Sequence, residues 1–284
     1  VNGYWPSVDY YHLTGTTTEQ GTVSTPSVTD QHFVGGASVK NSSGASAYGV
    51  AAFALHPVLE TGTSTLQGKK SYFMLENEVI CLGAGITAGS TNEIHTTVEN
   101  RAMGTNSNTA TLWVNGVAIT RSLASSATLT NLTNCVLEGV GGYHFFNAPG
   151  NVQAAFDQDS GTWGTIHPGD SDTTTYTNNY LKLYFRHGTR PTNATYAYAI
   201  LPAMSPANVT AYSRNPQTTI LSNNTSVQAV KNASLGVVAA NFWGSNGGTA
   251  DLITVNRACS AITYEMTDRI SVVVSSSTQK HSGS

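Results

Sequence analysis

Hydrophobic and polar residues alternate along much of the chain, and this alternation predicts antiparallel β-strands. The segments YLKLYFRHG (Tyr180–Gly188) and ATYAYAILP (Ala194–Pro202) repeat with a period of two, as strands do when only one of their faces is buried. Three further short strands are predicted within Asp251–Ser276, where apolar runs are separated by polar turns. No segment has the periodicity of a long helix, so the pattern predicts an all-β protein.

Two turns between apolar runs predict β-hairpins. Asn115-Gly116 lies within TATLWVNGVAIT (Thr109–Thr120), and this dipeptide favours a two-residue type I′ turn. The polar residues Glu76–Glu78 separate the short β-rich runs Tyr72–Leu75 and Val79–Leu82, which is a loop of hairpin length. Each segment is therefore expected to fold back on itself.

The segment 202–216 (PAMSPANVTAYSRNP) has three prolines and little periodicity, which is typical of a linker between domains. We therefore divide the chain into a large, central antiparallel β-sandwich domain at 1–201, a linker at 202–216 and a smaller C-terminal β domain at 217–284. A short helical turn is expected within Ala203–Tyr212. The smaller β-sandwich is expected to be incomplete at Ser284.

Composition favours an extracellular protein. Charged residues make up 10% of the 284 residues, against about 25% in a typical globular domain, whereas Ser, Thr, Asn and Gly are abundant. A net charge of −3 provides no basic surface for nucleic acid, and the apolar runs are far shorter than the roughly 20 residues that a membrane helix needs. We expect a secreted protein with neither nucleic acid nor a membrane as partner.

The three cysteines, Cys81, Cys135 and Cys259, lie far apart and form no zinc-ligand motif. One disulfide with one free thiol stays open, but three buried thiols in strands is the favoured interpretation. The sequence also has no GxSxG elbow, no HExxH pair and no P-loop. GAGITAG (Gly83–Gly89) follows a hairpin strand and is interpreted as a turn, because a dinucleotide-binding loop opens a helix. We expect no metal and no cofactor.

Seven Asn-x-Ser/Thr sequons are present, and they favour a glycosylated protein from a eukaryotic, fungal host. A chain rich in Asn, Ser and Thr also generates such triplets by chance, so both interpretations stay open. The glycosylation candidates are Asn41, Asn131, Asn193, Asn208, Asn223, Asn224 and Asn232.

Several segments taken together resemble polysaccharide lyase family 8, which includes hyaluronate, chondroitin AC and xanthan lyases. GKKSYFMLENEVICLGAGI (Gly68–Ile86) and HTTVENR (His95–Arg101) resemble its central β-sandwich. DYYHLTGTTTE (Asp9–Glu19) resembles the family's Y-R-L-P-G-T-T motif, with His12 and Thr14 where Arg and Pro are usual. Further matching segments follow in the family's order: HFVGGA (His32–Ala37), GTWGTIHPG (Gly161–Gly169), YLKLYFRHGTRPTNATYAYAILP (Tyr180–Pro202) and RISVVVSSSTQ (Arg269–Gln279).

The resemblance implies β-elimination at a uronic acid of an acidic polysaccharide. In this family an Asn, a His, a Tyr and an Arg of an N-terminal α/α toroid neutralise the sugar carboxylate, remove the C5 proton and protonate the leaving oxygen. This sequence begins where the family's sandwich begins. We therefore expect the toroid to be a partner domain of the same gene product, and this chain alone to lack the catalytic residues.

Few site residues can be carried over from the family to this sequence. The family places a sandwich carboxylate beside the catalytic Tyr and Arg, near the Gly-Thr-Thr motif, and Glu19 is the nearest acidic residue. A solvated loop glutamate is the alternative. Asn100 and Arg101 are candidates for substrate binding, although an internal Glu99–Arg101 polar network that holds strand ends is favoured.

Two classes of function stay open. The chain is either the β-sandwich portion of a secreted polysaccharide lyase or a non-catalytic carbohydrate-binding or structural β-sandwich module. These residues do not identify the polysaccharide, so alginate, hyaluronan, chondroitin and xanthan are all candidates.

Overall fold

The computed structural model of the protein describes residues 3–21, 33–41, 43–56, 58–59, 62–63, 65–167 and 169–278. Strands make up 57% of the structure and helices 8%, which confirms the all-β prediction. The strands are, in chain order, β1 (Thr17–Glu19), β2 (Val34–Lys40), β3 (Ser46–Leu55), β4 (Val58–Leu59), β5 (Gly62–Thr63), β6 (Gln67–Met74), β7 (Val79–Thr87), β8 (Glu93–Gly104), β9 (Thr109–Val114), β10 (Val117–Ser122), β11 (Ser125–Leu129), β12 (Asn134–Leu137), β13 (Gly141–Phe145), β14 (Val152–Gly161), β15 (Tyr176–Thr189), β16 (Ala194–Pro202), β17 (Thr218–Asn223), β18 (Val227–Asn232), β19 (Val237–Phe242), β20 (Gly248–Ala250), β21 (Ile253–Val255), β22 (Cys259–Glu265) and β23 (Ile270–Ser275). The helices are α1 (Tyr4–Ser7), α2 (Trp163–Ile166) and α3 (Pro206–Arg214), with a 3₁₀ turn at Tyr10–His12. No helix within the described ranges is long and apolar enough to cross a membrane.

Most strands belong to three antiparallel sheets. The front sheet has five strands in the order β1-β8-β15-β14-β11. The central sheet has nine strands in the order β10-β9-β12-β13-β16-β7-β6-β3-β2, and the C-terminal sheet has five in the order β17-β18-β19-β22-β23. Neighbouring strands run antiparallel in all three. Strands that are distant in the sequence become neighbours, since β8 lies between β1 and β15.

The three sheets stack with an apolar layer on each side of the central sheet. Phe156, Leu183 and Phe145 belong to the layer between the front and central sheets. Ile80 and Ile262 belong to the layer between the central and C-terminal sheets. Burying one such side chain contributes about 1.5–3 kcal/mol, so the two layers hold the sheets together. A large antiparallel sandwich followed by a smaller C-terminal sheet confirms the predicted fold class. The expected incomplete end at residue 284 lies outside the described residues.

Both predicted hairpins are present. β9 and β10 pair directly on either side of Asn115 and Gly116, whose φ angles are 50° and 83°. Two successive positive φ angles are what a type I′ turn requires. β6 pairs with β7 around the turn at Glu76–Glu78. Local turn chemistry therefore predicts both hairpins correctly.

The predicted linker holds a nine-residue helix, α3, which packs on the central sheet. The helix begins at Pro206 after its N-cap Ser205, whose Oγ accepts a hydrogen bond from the Asn208 N–H at 3.3 Å. Val209 approaches Gly142 so closely that a Cβ at that glycine would lie 2.3 Å from the Val209 side chain. The domain boundaries drawn from the sequence stay predictions.

A buried carboxylate ties the β6–β7 turn to the C-terminal sheet. Glu78 is buried and accepts hydrogen bonds from the hydroxyls of Tyr212 in α3 and Thr218 in β17. It also accepts a hydrogen bond from Nδ2 of Asn232 in β18 at 3.3 Å. Several donors replace water around this carboxylate, which makes its burial tolerable. The turn therefore fastens α3 and the C-terminal sheet to the central sheet.

Cys81, Cys135 and Cys259 are free and buried, which confirms the interpretation as three buried thiols. Burial raises the pKa of the Cys81 thiol to about 12. The thiolate is the reactive form of cysteine, so Cys81 is inert at physiological pH.

The sequence pattern predicts one exposed face for β15, and this expectation is wrong for its middle. Leu181 and Leu183 belong to the apolar layer behind the front sheet. Tyr180 and Lys182, on the opposite face, are also buried, at 0% and 4% exposure. The reason is that residues 3–16 fold over the outer surface of the front sheet.

Candidate functional site

Residues 3–16, the N-terminal segment, cover the outer surface of the front sheet. α1 packs against β14 and β15. Pro6 comes so close to Gly161 that a Cβ at that glycine would lie 1.9 Å from the Pro6 carbonyl oxygen. The Ser7 hydroxyl lies 2.8 Å from the Tyr180 hydroxyl and accepts a hydrogen bond from Asn178 Nδ2 at 2.8 Å. These contacts enclose a polar layer between the segment and the sheet.

Lys182 is the centre of a carboxylate cluster in this polar layer. Its Nζ lies 2.9 Å from Asp159, 3.2 Å from Asp9 and 3.8 Å from Asp157. Burial disfavours the charge on Asp9, but the hydrogen bond from His12 and the charges of His12 and Lys182 hold the pKa of Asp9 well below its usual range. Asp9 is therefore ionised beside His12 at physiological pH.

Two histidines extend this cluster along the sheet. His12 Nδ1 lies 2.7 Å from Asp9 Oδ2, and His12 Nε2 lies 3.0 Å from His95 Nδ1. His95 Nε2 lies 2.8 Å from Glu93 Oε2, which also accepts a hydrogen bond from Arg186 Nε at 3.0 Å. Both histidines are buried. A continuous line of polar contacts therefore joins five side chains, in the order Asp9, His12, His95, Glu93 and Arg186.

Glu99 in β8 is the centre of a second polar network. Its Oε2 accepts hydrogen bonds from Tyr143 Oη at 2.6 Å and from Arg101 Nη2 at 2.9 Å. Its Oε1 accepts the Asn100 N–H at 2.9 Å, and the Thr14 hydroxyl lies 3.4 Å away. This arrangement confirms the expected internal Glu99–Arg101 network.

The candidate substrate-binding residues Asn100 and Arg101 differ in exposure. The Arg101 side chain is 45% exposed, so its guanidinium is reachable from solvent while it binds Glu99. Asn100 is buried, and neither polar atom of its side chain has a hydrogen-bond partner in the described part of the chain. Their role in substrate binding stays a prediction.

Glu19, the candidate supporting carboxylate, lies at the far end of β8 from these residues. It pairs with Ile94 and accepts a hydrogen bond from Asn92 Nδ2 at 3.1 Å. Asn100 follows Ile94 by six positions in β8, which corresponds to about 20 Å along a strand. The structure does not bring Glu19 and Asn100 together, and the carboxylate that lies next to Thr14 is that of Glu99. The role assigned to Glu19 stays a prediction.

The groups beneath the N-terminal segment are the part of the site that the sequence does not reveal. The spacing of Asp9 and His12 within one 3₁₀ turn is the one local signal, since it places the two side chains in contact. His95 is 83 residues from His12, and Lys182 is 173 residues from Asp9. No local pattern links positions so far apart.

The sequon asparagines differ in exposure. Asn232 is buried, donates a hydrogen bond to Thr218 Oγ1 at 3.0 Å and accepts the Leu235 N–H at 3.1 Å. This packing leaves no room for a glycan and argues against glycosylation of Asn232, which stays a prediction. The other six stay predictions: Asn131, Asn193, Asn208 and Asn224 are exposed, and Asn41 and Asn223 are partly buried.

Comparison with known protein families identifies both parts of the chain. Residues 2–213 match the super-sandwich domain of polysaccharide lyase family 8. Residues 219–284 match the C-terminal beta-sandwich domain of the same family. The chain therefore belongs to polysaccharide lyase family 8, which confirms the resemblance drawn from its motifs.

Individual relatives agree with this assignment. A xanthan lyase from Bacillus sp. (strain GL1) is 35% identical over 99% of this chain and 30% of its own length. A hyaluronate lyase from Thermasporomyces composti is 33% identical over 97% of this chain and 34% of its own length. The solved structure of Paenibacillus xanthan lyase matches with a TM-score of 0.88 at 36% identity, covering 98% of this chain and 26% of that one. The chain thus spans about a third of the length of these curated relatives.

Proposed function

We propose that the chain is the β-sandwich portion of a secreted lyase that cleaves a uronic-acid-containing polysaccharide by β-elimination. The observation that carries this proposal is the match of two lyase-family domains to almost the whole chain. The relatives are named for xanthan and hyaluronate. Xanthan is the first substrate to test, because the xanthan lyase structure matches with a TM-score of 0.88.

Elimination at a uronic acid requires three operations on the sugar. Its carboxylate is neutralised so that the C5 proton becomes acidic, a base removes that proton, and an acid protonates the leaving oxygen. We infer that an α/α toroid of the same gene product, outside this chain, supplies these groups. His12, His95 and Glu99 are buried and bonded to protein partners, which suits a supporting role better than proton exchange with a sugar.

The contribution of this chain is one wall of the substrate cleft. Arg101 is the group best suited to meet an acidic sugar, because its guanidinium is partly exposed and is held in place by Glu99. A planar guanidinium binds a carboxylate through two parallel hydrogen bonds. Asn100 neighbours it in β8, and Glu19 stays the candidate for a supporting carboxylate.

The test uses the complete gene product that contains this chain. Xanthan, hyaluronan, chondroitin and alginate are incubated separately, and ultraviolet absorbance reports the unsaturated sugar that elimination creates. We expect absorbance to rise with at least one of them, and with xanthan first. New reducing ends without absorbance would indicate hydrolysis and contradict the proposal.

Variants of the complete protein test the assigned residues. Arg101→Gln is expected to raise KM more than it lowers kcat, because it removes a contact to the substrate without removing the base or acid. Arg269→Gln is the matched control, since Arg269 is 55% exposed at its side chain and lies beside β23 of the C-terminal sheet. Glu19→Gln is expected to lower kcat if that carboxylate supports the catalytic groups. Unchanged kinetics in Arg101→Gln and Glu19→Gln would remove both residues from the site.

Secretion and glycosylation belong to the same proposal. If the host glycosylates the protein, deglycosylation lowers its mass, and the modified peptides contain exposed asparagines such as Asn131 and Asn208. A native mass equal to that of the bare polypeptide would contradict glycosylation. A glycan found on Asn232 would contradict the packing of that residue in the structure.

A further inference from the structure

The three contacts that join Asp9, His12, His95 and Glu93 need three N–H protons, whereas two neutral imidazoles carry two. A neutral imidazole carries one N–H. The carboxylates of Asp9 and Glu93 accept hydrogen bonds, so His12 Nδ1 and His95 Nε2 are the nitrogens that hold these protons. His12 Nε2 and His95 Nδ1, which are 3.0 Å apart, would then face each other as two lone pairs. One additional proton turns this contact into an N–H···N hydrogen bond.

Adding a second proton to the pair also removes the hydrogen bond between His12 and His95. Both facing nitrogens of His12 and His95 would then be donors, and two like charges would lie side by side in a buried site. The pair therefore makes its mutual hydrogen bond in one state alone, in which the two rings share a single extra proton.

We propose that His12 and His95 form a proton-sharing latch, which fastens the N-terminal segment to the front sheet when the pair carries one extra proton and loosens it when the pair carries none or two. The latch joins the 3₁₀ turn to β8. The ring of Tyr184 supports it, with centroids 4.5 Å from His12 and 4.7 Å from His95. Thr14, two residues after His12, lies beside Glu99, so the latch also positions the start of the Glu99 network. This inference does not depend on the proposed function.

The surroundings of the latch favour the state with one extra proton. Asp9 and Glu93 stabilise a cation between them, while Lys182 and Arg186 keep these two carboxylates ionised. Burial lowers the pKa of His95, Glu93 opposes this shift and the charge of His12 adds to it, so a second proton is disfavoured. The groups that face the pair are Asp9 from the N-terminal segment; Glu93 from β8; Lys182, Tyr184, Arg186 and His187 from β15; and Asp157 and Asp159 from β14, through Lys182. Glu19, the charged residue of β1, lies opposite Ile94 and not His95.

Hydrogen exchange of the full chain as a function of pH tests the latch. After correction for intrinsic exchange, protection of the amides at 10–16 is expected to peak between about pH 5 and 8. It is expected to fall about tenfold on each side, as for the loss of one hydrogen bond to a charged group. Protection that is flat from pH 4.5 to 9, or that changes on one side only, would overturn the proposal.

Two variants distinguish the loss of protection at high pH from the loss at low pH. His12→Arg carries a permanent charge and donates to both Asp9 and His95, so it is expected to abolish the loss of protection at high pH and keep the loss at low pH. His95→Gln cannot take up a proton, so it is expected to abolish the loss at low pH and keep the loss at high pH. His144→Gln is the matched control, because His144 is a buried histidine of β13 that contacts Ser213. This variant is expected to lose protection of the amides at 10–16 at both low and high pH, as the wild type does.

A direct measurement needs no variant and stays decisive if a variant fails to fold. The imidazole ¹⁵N chemical shifts of His12 and His95 in the wild-type chain report which nitrogens carry protons. One imidazolium shared by the two rings near neutral pH is the expected result. Two neutral rings or two imidazolium rings at that pH would overturn the proposal.

Discussion

Tyr143 reaches from the central sheet across the apolar layer and donates a 2.6 Å hydrogen bond to Glu99 in the front sheet. We expect Tyr143→Phe to lower the free energy of unfolding by about 1–3 kcal/mol, because a buried carboxylate loses a donor. Urea unfolding measures the change. Tyr10→Phe is the control, since its hydroxyl bonds the Trp5 carbonyl at the surface and its loss is expected to cost under about 0.5 kcal/mol. Equal small effects in both variants would contradict this account of Glu99.

Lys70 is a second residue whose surroundings lead to a prediction. It is 2% exposed, donates a 2.5 Å hydrogen bond to the Gly15 carbonyl and lies over the rings of Phe53 and Tyr196. Burial lowers the pKa of Lys70 to about 8. An unfolded lysine titrates near 10.4. Between these two pKa values the unfolded chain binds more protons than the folded chain, so the contribution of Lys70 to stability rises with pH.

We therefore expect the stability of the wild type relative to Lys70→Met to increase by up to about 3 kcal/mol between pH 8 and pH 10.4. Taking the difference between the two proteins cancels the titration of the buried tyrosines and cysteines. Urea unfolding of both proteins at several pH values provides the measurement. Lys40→Met, at an exposed position of β2, should show no such trend. A difference that stays constant for Lys70→Met would refute the lowered pKa.

At the scale of elements, the strands could be predicted from the sequence, but the burial of the outer face of β15 by the N-terminal segment could not. The alternation in β15 is a local property and correctly predicts a strand. Burial of Tyr180 and Lys182 depends on the N-terminal segment, which is more than 160 residues away in the sequence. The same reason explains the site: the Glu99–Arg101 contact spans two residues and could be expected, whereas the His12–His95 contact spans 83 residues and could not.

The β6–β7 turn gives a prediction at this scale. Glu78→Gln places an amide NH₂ group among three donors, so at least one donor loses its acceptor and the junction with the C-terminal sheet weakens. We expect a loss of about 1–3 kcal/mol of unfolding free energy and faster hydrogen exchange in β17 and β18. Glu76→Gln, an exposed position of the same turn, is the control and should change neither quantity. Unchanged exchange in Glu78→Gln would show that the turn does not hold the C-terminal sheet.

At the scale of the whole molecule, three sheets stack into one body with a polar front face. Both faces of the central sheet are buried by apolar layers, and α3 packs against its strands β12 and β13. Arg101 is an accessible cation of the front sheet, while the histidines and most carboxylates of this face bind one another. In the proposed function this body presents one wall of the cleft to the substrate, whereas proton transfer needs groups that are free to exchange protons with the sugar.

The most direct test of the account compares the chain 1–284 alone with the same chain joined to the rest of its gene product, where we propose that an α/α toroid lies. Both proteins are incubated with xanthan, and with hyaluronan, chondroitin and alginate, while ultraviolet absorbance follows the unsaturated product. Circular dichroism confirms beforehand that the isolated chain is folded as β-structure. The account predicts no turnover by the isolated chain and elimination by the joined protein. Elimination by the isolated chain would contradict it, because the catalytic base and acid would then lie within these 284 residues.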